Sequence, residues 1–577
     1  MVFSSLIIGS STVIETVFTP ATFGSRVFHA KYQNPRTKLK NAAPDMLDFD
    51  IDFLDEKKQF EHPGIRHSLF PNVPPYIRFS YAPIKPFPLP IQSLIRWKNS
   101  SITPEIVRRV VRSTGFRLLD ECRCWSGLWG NQMRNTDYPK LHEHQKFNHF
   151  PSTYHIGRKD SLWKNIKQMK QRYGDRKFDI APPSFVLPEE KKAFRIQWEN
   201  GAKDQCYILK PPASYRGEGI KIVSKLKQIP KNENYVAQKY IHDPYLINDT
   251  KFDMRLYILI TSIDPLRVYL YDNGLARFAS VKYSFNFRNL DNHFMHLTNY
   301  SINKENKKYQ ANSDVHARKG HKWTLNTLWK YLDEQNIDTG KLKEDLIELV
   351  VKTMISVEEP ISKSASQNLK SRYNAFELFG FDVLLDKNLK PWLLEVNISP
   401  SLHSSSKLDI AVKVPLVLNV LNIVGFHIPV SKKYSEKEVA LDLGARTNDR
   451  IWLDSRIYSM TVSNHEKYKH YSFAEPKRRN DYLNKILEDL TPEDVRILIA
   501  YEDELTQIGS FIKVFPTPDS HKYFKYFKKV SYYNLLLDAW ETKYHIDREE
   551  GRNLLKTYCE KEQHLKVTRV NSAPHVF

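Results

Sequence analysis

Apolar positions in the middle of this chain recur with a period of two, and on either side with a period near 3.6, which predicts a sheet flanked by helices. The clearest stretch is Glu377 to Leu402. Two apolar runs, Phe379 to Leu385 and Trp392 to Ile398, flank a polar turn at Asp386-Lys387-Asn388 and predict a hairpin of buried strands. Glu395 and Asn397 lie two apart and so project from one face. Closure about Asn388 and Leu389 sets Asp382 across from Glu395 on that same face. Burying three such oxygen donors unpaired costs on the order of several kcal/mol. A divalent cation such as Mg²⁺, which favours a few carboxylates plus a phosphate, removes that cost. A surface hairpin whose polar side chains face water is the alternative this stretch leaves open.

Other elements follow from the same patterns. Thr103 as N-cap and Pro104 as first residue predict a helix with Ile106, Val107, Val110 and Val111 inward, ending before Gly115. A second helix is expected from Asp160 to Tyr173 with Gly174 as its stop. Its face of Lys164, Lys167, Lys170 and Arg172 suits either solvent or an acidic partner. Strands are expected at 206–210, 219–223, 235–241 and 252–261, and a hairpin of 267–271 with 276–280 over Asp272-Asn273-Gly274. Residues 322–358 look helical, as does the stretch near Asp409 to Val424. Beyond Pro429 the chain turns polar and basic, with Lys432, Lys433, Lys467, Lys469, Lys477, Arg478 and Arg479. A helix capped by Thr491 and a second one within 523–545 make this region a mostly helical appendage outside the sheet.

Composition narrows the functional classes. The 577 residues allow more than one domain, and 41% hydrophobic with 12% aromatic residues support sizeable cores. Net charge is +21, which calls for an acidic partner: nucleic acid, an anionic membrane or an acidic polypeptide. Four cysteines are too few for a disulfide framework, and Cys122-Arg123-Cys124 lacks zinc-ligand spacing, so a reducing compartment is expected. No apolar run reaches the ~20 residues of a membrane span. The first 24 residues carry a single charge, Glu15, without the basic start of a secretory signal. Residues 1–66, with the acidic run Asp45 to Glu56, read as a flexible arm.

Candidate chemistry gathers around the sheet. The loop from Lys210 to Ile220 has small residues at Gly217 and Gly219, so its backbone N–H groups can approach phosphates, with Lys210 reaching the same anion. It matches neither a Walker A run nor a Rossmann fingerprint, and a plain strand connection stays open. Lys251, Asp253 and Arg255 alternate on one strand face, while Phe252, Met254 and Leu256 predict burial of the other. Joined to Asp382, Glu395 and Asn397, they read as one ATP–Mg²⁺ site between two sheets. No Gly-x-Ser-x-Gly elbow, zinc-protease helix or kinase His-Arg-Asp loop is present. An aromatic stacking platform in a basic groove, which nucleic acid needs, is also missing.

Several ordered motifs carry a family resemblance. Lys210-Pro211-Pro212 with Arg216-Gly217-Glu218-Gly219-Ile220, Gln238-Lys239-Tyr240-Ile241, Lys251-Phe252-Asp253-Met254-Arg255, His296-Leu297-Thr298-Asn299-Tyr300-Ser301 and Glu395-Val396-Asn397 resemble the tubulin tyrosine ligase-like family, nearest its polyglutamylases. Asn148 to Pro151, Ile156 to Asp160 and Ser399 to Ser406 extend the likeness, which runs from about Leu69 to Pro429. The resemblance implies an α/β (α+β) chain with an ATP-grasp fold. Its arm would end at 66 and its catalytic domain span 67–429 (67–185 N-terminal, 186–262 central, 263–429 C-terminal), with the appendage at 430–577.

The resemblance also implies a reaction: ATP-dependent joining of L-glutamate to glutamate side chains in acidic tubulin tails. It assigns ATP to Lys210, Arg216, Gly217, Lys251, Phe252, Asp253, Thr298 and Asn299, with Gln238, Lys239, Tyr240 and Ile241 on the adenine side. Mg²⁺ falls to Asp382, Glu395 and Asn397. The incoming glutamate falls to Arg277, Tyr300 and Lys413, with Arg255, Arg277 and Lys413 as catalytic cations. Glu218 is unexpected beside phosphates and should face solvent. Microtubules are the expected acidic partner, with other acidic proteins open and neither nucleic acid nor membrane expected. The expected location is the cytoplasm and microtubule cytoskeleton, including cilium or basal body. A glycine or tyrosine ligase of the same fold, or a non-catalytic microtubule-binding protein, are the competing readings.

Overall fold

The computed structural model describes residues 62–567 except 203–204, 215, 405, 445–449 and 475–477. The expected arm, apart from its last residues, lies outside the described residues, as do Lys477 and part of the phosphate-loop motif.

The central sheet is antiparallel and is built on the long strand Thr250–Ile263. On one side it pairs with Leu266–Phe278, which carries the short strand Lys322–Thr324 at its far edge. On the other it pairs with Glu377–Leu385, which pairs in turn with Pro391–Asn397. Met254, Leu256, Ile258 and Ile260 enter one core, with the helices Lys159–Tyr173 and Thr339–Asn368 packed on it. Tyr257 and Leu259 enter the opposite core beneath the helices Glu105–Ser113 and Lys407–Val424. The second face is thus apolar at 257 and 259 but ionic at 251, 253 and 255. That change of character is where the cleft opens. A smaller antiparallel sheet, ordered Ser184–Leu187, Tyr235–Lys239, Tyr207–Lys210, Lys221–Val223, lies across the cleft. A short parallel sheet built on Arg96–Lys98 precedes both.

Four expectations need correction. Asp272-Asn273-Gly274 is not a hairpin turn; one strand runs through it from Leu266 to Phe278. The register shift opposite Leu256 to Ile258 absorbs the extra residues as a bulge. Glycine is required there because a Cβ on Gly274 would lie 2.3 Å from the Arg255 carbonyl oxygen. Thr103 does not cap its helix, which starts at Glu105; its hydroxyl accepts from the Ser100 N–H and donates to the Trp129 carbonyl. The 322–358 stretch is a strand followed by two helices, Leu325–Glu334 and Thr339–Asn368, with Asp338 capping the second.

The fourth concerns the C-terminal region, which is not wholly outside the sheet. Phe511–Phe515 pairs with Leu266–Phe278 through Val268, Tyr269, Leu270 and Tyr271. The edge strand would otherwise leave those backbone groups unpaired. Most of the region's other described residues are helical, and its Thr491 cap accepts from the Asp494 N–H as the sequence indicates. Among the described residues no helix is long and apolar enough to cross a membrane, and none of the four cysteines forms a disulfide.

Candidate active site

The hairpin brings Asp382 and Glu395 together as expected, although it does not close symmetrically about Asn388 and Leu389: Leu385 pairs with Pro391. Asp382 faces Glu395 across the pair, and Gly380 faces Asn397. A bulge makes this possible. Val383 still pairs with Leu393, and the extra residue Leu394 moves Glu395, rather than Leu394, opposite Asp382. Phe381, Val383, Leu393 and Val396 fill the core behind, so the Asp382 and Glu395 side chains are left facing the cleft.

That cleft lies between the two sheets. Lys210, Gly217, Gln238, Lys239, Tyr240, Ile241, Lys251, Asp253, Thr298, Asn299, Asp382 and Glu395 all line it. Ile208, Ile220, Leu384 and Leu394 supply apolar walls. Arg216 and Gly217 both adopt positive φ, +61° and +83°. A Cβ on Gly217 would lie 2.6 Å from Ile302, so the loop needs glycine for the close approach as well as the turn. The Ser301 hydroxyl donates to the Arg216 carbonyl at 2.8 Å and ties the loop to the segment after Asn299. Glu218 is exposed, as expected.

Buried charges at the floor form one network. Arg255 donates to Asp382 from Nε at 2.6 Å and Nη2 at 3.2 Å. Arg277 bridges both acids: its Nε donates to Asp253 at 2.7 Å and its Nη2 lies 2.8 Å from Asp382. Burial raises Asp382, but Arg255 and Arg277 more than offset it and hold the carboxyl below its ordinary range. Asp253 goes the other way, raised by burial that Arg277 only partly offsets. The Lys159 ammonium lies 3.1 Å from the Glu395 carboxylate. The Asn397 amide nitrogen donates to the Gly380 carbonyl at 3.3 Å, which leaves its oxygen to meet a cation. Two carboxylates and an amide oxygen on one hairpin, beside cations suited to phosphate, fit a hard ion such as Mg²⁺.

Two lysines reach the cleft with lowered basicity. Burial pushes Lys210 down to about 8 and Lys251 down to about 7. Lys210 donates to Gln238 at 2.7 Å and to the Leu394 carbonyl at 3.2 Å, and Lys251 to the Tyr240 hydroxyl at 3.1 Å. A polyphosphate brought beside them favours their charged forms, so both values rise on binding. Binding of a nucleotide at pH 8 is therefore expected to take up protons, with net uptake fading below about pH 6. Calorimetry in buffers of different ionisation enthalpy measures this, and Lys251→Met should remove most of it.

A second cluster lies beyond the arginines. Lys322, the register partner of Arg277, sits 2.9 Å from Asp409, and Lys413 sits 2.8 Å from the same carboxylate. Lys413 also donates to the His403 carbonyl. Its basicity is lowered by burial, which Asp409 opposes and the nearby Arg255 charge reinforces. Tyr300 is exposed, with the Lys322 ammonium 4.6 Å from its ring centre.

Not every expected residue reaches the cleft. Phe252 points away into the core, 5.4 Å from the Phe278 ring centre. Arg216, Arg255, Arg277, Tyr300, Asn397 and Lys413 do not line the cleft wall, although Arg255 and Arg277 touch two acids that do. Sequence reasoning missed Lys159 and Lys322. The first stood inside a quoted motif without a role, and the second inside a stretch misread as helix.

The family model for the tubulin-tyrosine ligase family matches residues 136–436, which contain the whole cleft. The chain belongs to the tubulin-tyrosine ligase family. Its α+β architecture of antiparallel sheets and helices is the ATP-grasp-like fold that the resemblance implied. Among relatives in this family, the protein named tubulin monoglutamylase TTLL4 of Homo sapiens is 42% identical over 90% of this chain and 44% of its own length. The Caenorhabditis elegans protein named tubulin polyglutamylase ttll-4 is 40% identical over 88% of this chain and 82% of its own. The Mus musculus protein named tubulin polyglutamylase TTLL5 is 35% identical over 81% and 36%. The chain thus spans less than half the length of the mammalian TTLL4 relatives.

Proposed function

We propose that this chain is an ATP-dependent ligase that attaches free L-glutamate to glutamate side chains in the acidic tails of tubulin. The observation that carries the reading is the meeting of Lys210, Lys251, Asp382 and Glu395 in one cleft of a tubulin-tyrosine ligase family fold. Relatives named as tubulin glutamylases support the choice of substrate.

The side-chain carboxylate of a tail glutamate attacks the γ-phosphorus of ATP and releases ADP. The amine of free glutamate then attacks the resulting acyl phosphate at its carbonyl carbon. The carbon–nitrogen bond forms, inorganic phosphate leaves, and the amine loses a proton. No protein nucleophile is required; the protein supplies position and compensating charge. Lys210, Lys251, Arg216 and the backbone at Gly217 would hold the phosphates, with Asp253, Thr298 and Asn299 beside them. Gln238, Lys239, Tyr240 and Ile241 would border the adenine, and Phe252 would contribute through its backbone alone. Asp382, Glu395 and Asn397 would hold Mg²⁺, which neutralises phosphate charge when bound. Arg255 and Arg277 would stabilise charge developing at the acyl carbon. Arg277, Tyr300 and Lys413, joined by Lys322, would bind the incoming amino acid, and their positive charge favours glutamate over glycine or tyrosine. Residues 67–429 would form the catalytic domain and 430–577 its basic extension.

The +21 charge would speed capture of acidic tails and place the protein on the microtubule cytoskeleton. Microtubule affinity is then expected to fall several-fold as salt rises from low to physiological strength, measured by co-sedimentation. The deciding experiment is mass spectrometry of tubulin tails after incubation with ATP and glutamate, glycine or tyrosine in turn. Glutamate-dependent branching supports the reading. Glycine or tyrosine addition changes the substrate, and no addition with intact microtubule binding leaves a non-catalytic binder.

A further inference from the structure

A second cavity lies between the central sheet and the C-terminal helices. Five cationic side chains line it, Arg66, Lys146, Arg267, Arg372 and Arg496, against a single carboxylate, Glu504. That carboxylate is already occupied. It accepts from the hydroxyls of Thr261 and Tyr269 and lies 3.4 Å from Arg267.

The carboxylates behind the wall compensate the cations unevenly. Glu493 accepts from Arg372 at 2.7 Å. Asp503 lies near Arg66 but already accepts from Ser68, Tyr76 and the Leu69 N–H. Lys146 meets the carbonyls of Val424 and Gly425 and the faces of Tyr373 and Phe426, and no carboxylate among the described residues pairs with it. Arg496 is the sharpest case. It is 1% exposed, and its Nη1 donates to the carbonyls of His564 and Lys566. Its Nε and Nη2 have no hydrogen-bond partner among the described residues, and neither does Nε of Arg267. The closest carboxylate to Arg496, Glu466, is 3.7 Å from Nη2. Burial lowers the basicity of both Lys146 and Arg496, as expected for cations left short of counter-charge.

Buried guanidinium N–H groups left unpaired are costly, and a multivalent oxyanion removes that cost with several charge-assisted hydrogen bonds at once. We propose that this cavity is a binding site for a small tetrahedral oxyanion of the phosphate class, held by Arg267, Arg496 and Lys146. Its cations come from five parts of the chain: the N-terminal entry, the short strand Lys146–Phe147, the Leu266–Phe278 strand, the segment before the catalytic hairpin, and the Pro492–Leu505 helix. The bound anion would therefore tie the basic extension to the catalytic sheet. The site is separate from the nucleotide cleft and shares no lining residue with it.

The test is equilibrium dialysis of the full chain against radiolabelled inorganic phosphate, with the cleft saturated by a non-hydrolysable ATP analogue and Mg²⁺. One nucleotide-insensitive phosphate per chain is expected. Arg267→Gln should weaken it at least tenfold while analogue binding stays unchanged. Arg496→Met should do the same, and if it fails to fold, Arg267→Gln carries the test alone. The wild-type melting temperature should also rise in phosphate relative to chloride of equal ionic strength, and the Arg267→Gln rise should be smaller. Absence of nucleotide-insensitive phosphate, retention of it by folded Arg267→Gln, or equal stabilisation by chloride would each overturn the proposal.

Discussion

Glu395→Gln is expected to reduce ATP-dependent glutamate ligation by at least about 100-fold while leaving the protein folded. Removing one electrostatic group that acts only as charge develops costs about 10²–10³ in turnover. Glu395 is the acid best suited to show this. Its neighbour Asp382 is clamped by two arginines, so a change there disturbs a buried network as well as the site. Glu395 is only partly buried, and one lysine, Lys159, pairs with it. Glutamine keeps the shape and one oxygen but loses the charge that would hold Mg²⁺. Initial rates of labelled glutamate incorporation, titrated against Mg²⁺, measure the effect. The variant should need more Mg²⁺ and still fall short at saturation, and chelation should silence the wild type. A rate within a few-fold of wild type across the titration would remove Glu395 from the metal site.

The pairing of Asp382 with Glu395 was readable from the period of two on each side of it, which sets Phe381 and Val383 opposite to Asp382 and sets Val396 opposite to Glu395 and Asn397. The bulge at Leu394, which turns Leu393 into the same core as Val396, breaks that period and was not. Lys251, Asp253 and Arg255 were readable from the same period of two. What the alternation could not show is how the charges pair. Nothing in the order of residues says that Arg277 bridges Asp253 and Asp382, because the link depends on which strands are neighbours. The Asn273-Gly274 pair misled because the same residues serve a tight turn and a bulge, and tertiary pairing decides between them. Phe511–Phe515 reads Phe-Ile-Lys-Val-Phe, without a clean alternation, and its partner lies more than two hundred residues earlier, beyond the reach of any local pattern. The anion cavity is less legible still, since its cations are spread from Arg66 to Arg496 and only the packed chain brings them together.

Arg277→Met should destabilise the fold by about 3–5 kcal/mol at neutral pH, the cost of removing one partner from a buried ion pair. The guanidinium is 9% exposed and contacts Asp253 and Asp382 at once, so methionine fills its volume but leaves two acids with only Arg255 as a close guanidinium. The pH dependence distinguishes this from a packing defect. Arg277 helps hold Asp382 below its ordinary value, and stability from a lowered carboxyl is present above the unfolded value of about 4 and lost as pH falls below it. In the variant that lowering shrinks and Asp253, already raised, rises further, so both acids are protonated more readily. The gap between wild type and variant in denaturant midpoint should therefore be widest near pH 7 and narrow below about pH 4. Adding Asp253→Asn should recover part of the loss, because it removes the acid that Arg277 alone compensates at close range. A gap that stays constant across this range would mean that lost packing, and not uncompensated carboxylate charge, sets the cost at position 277.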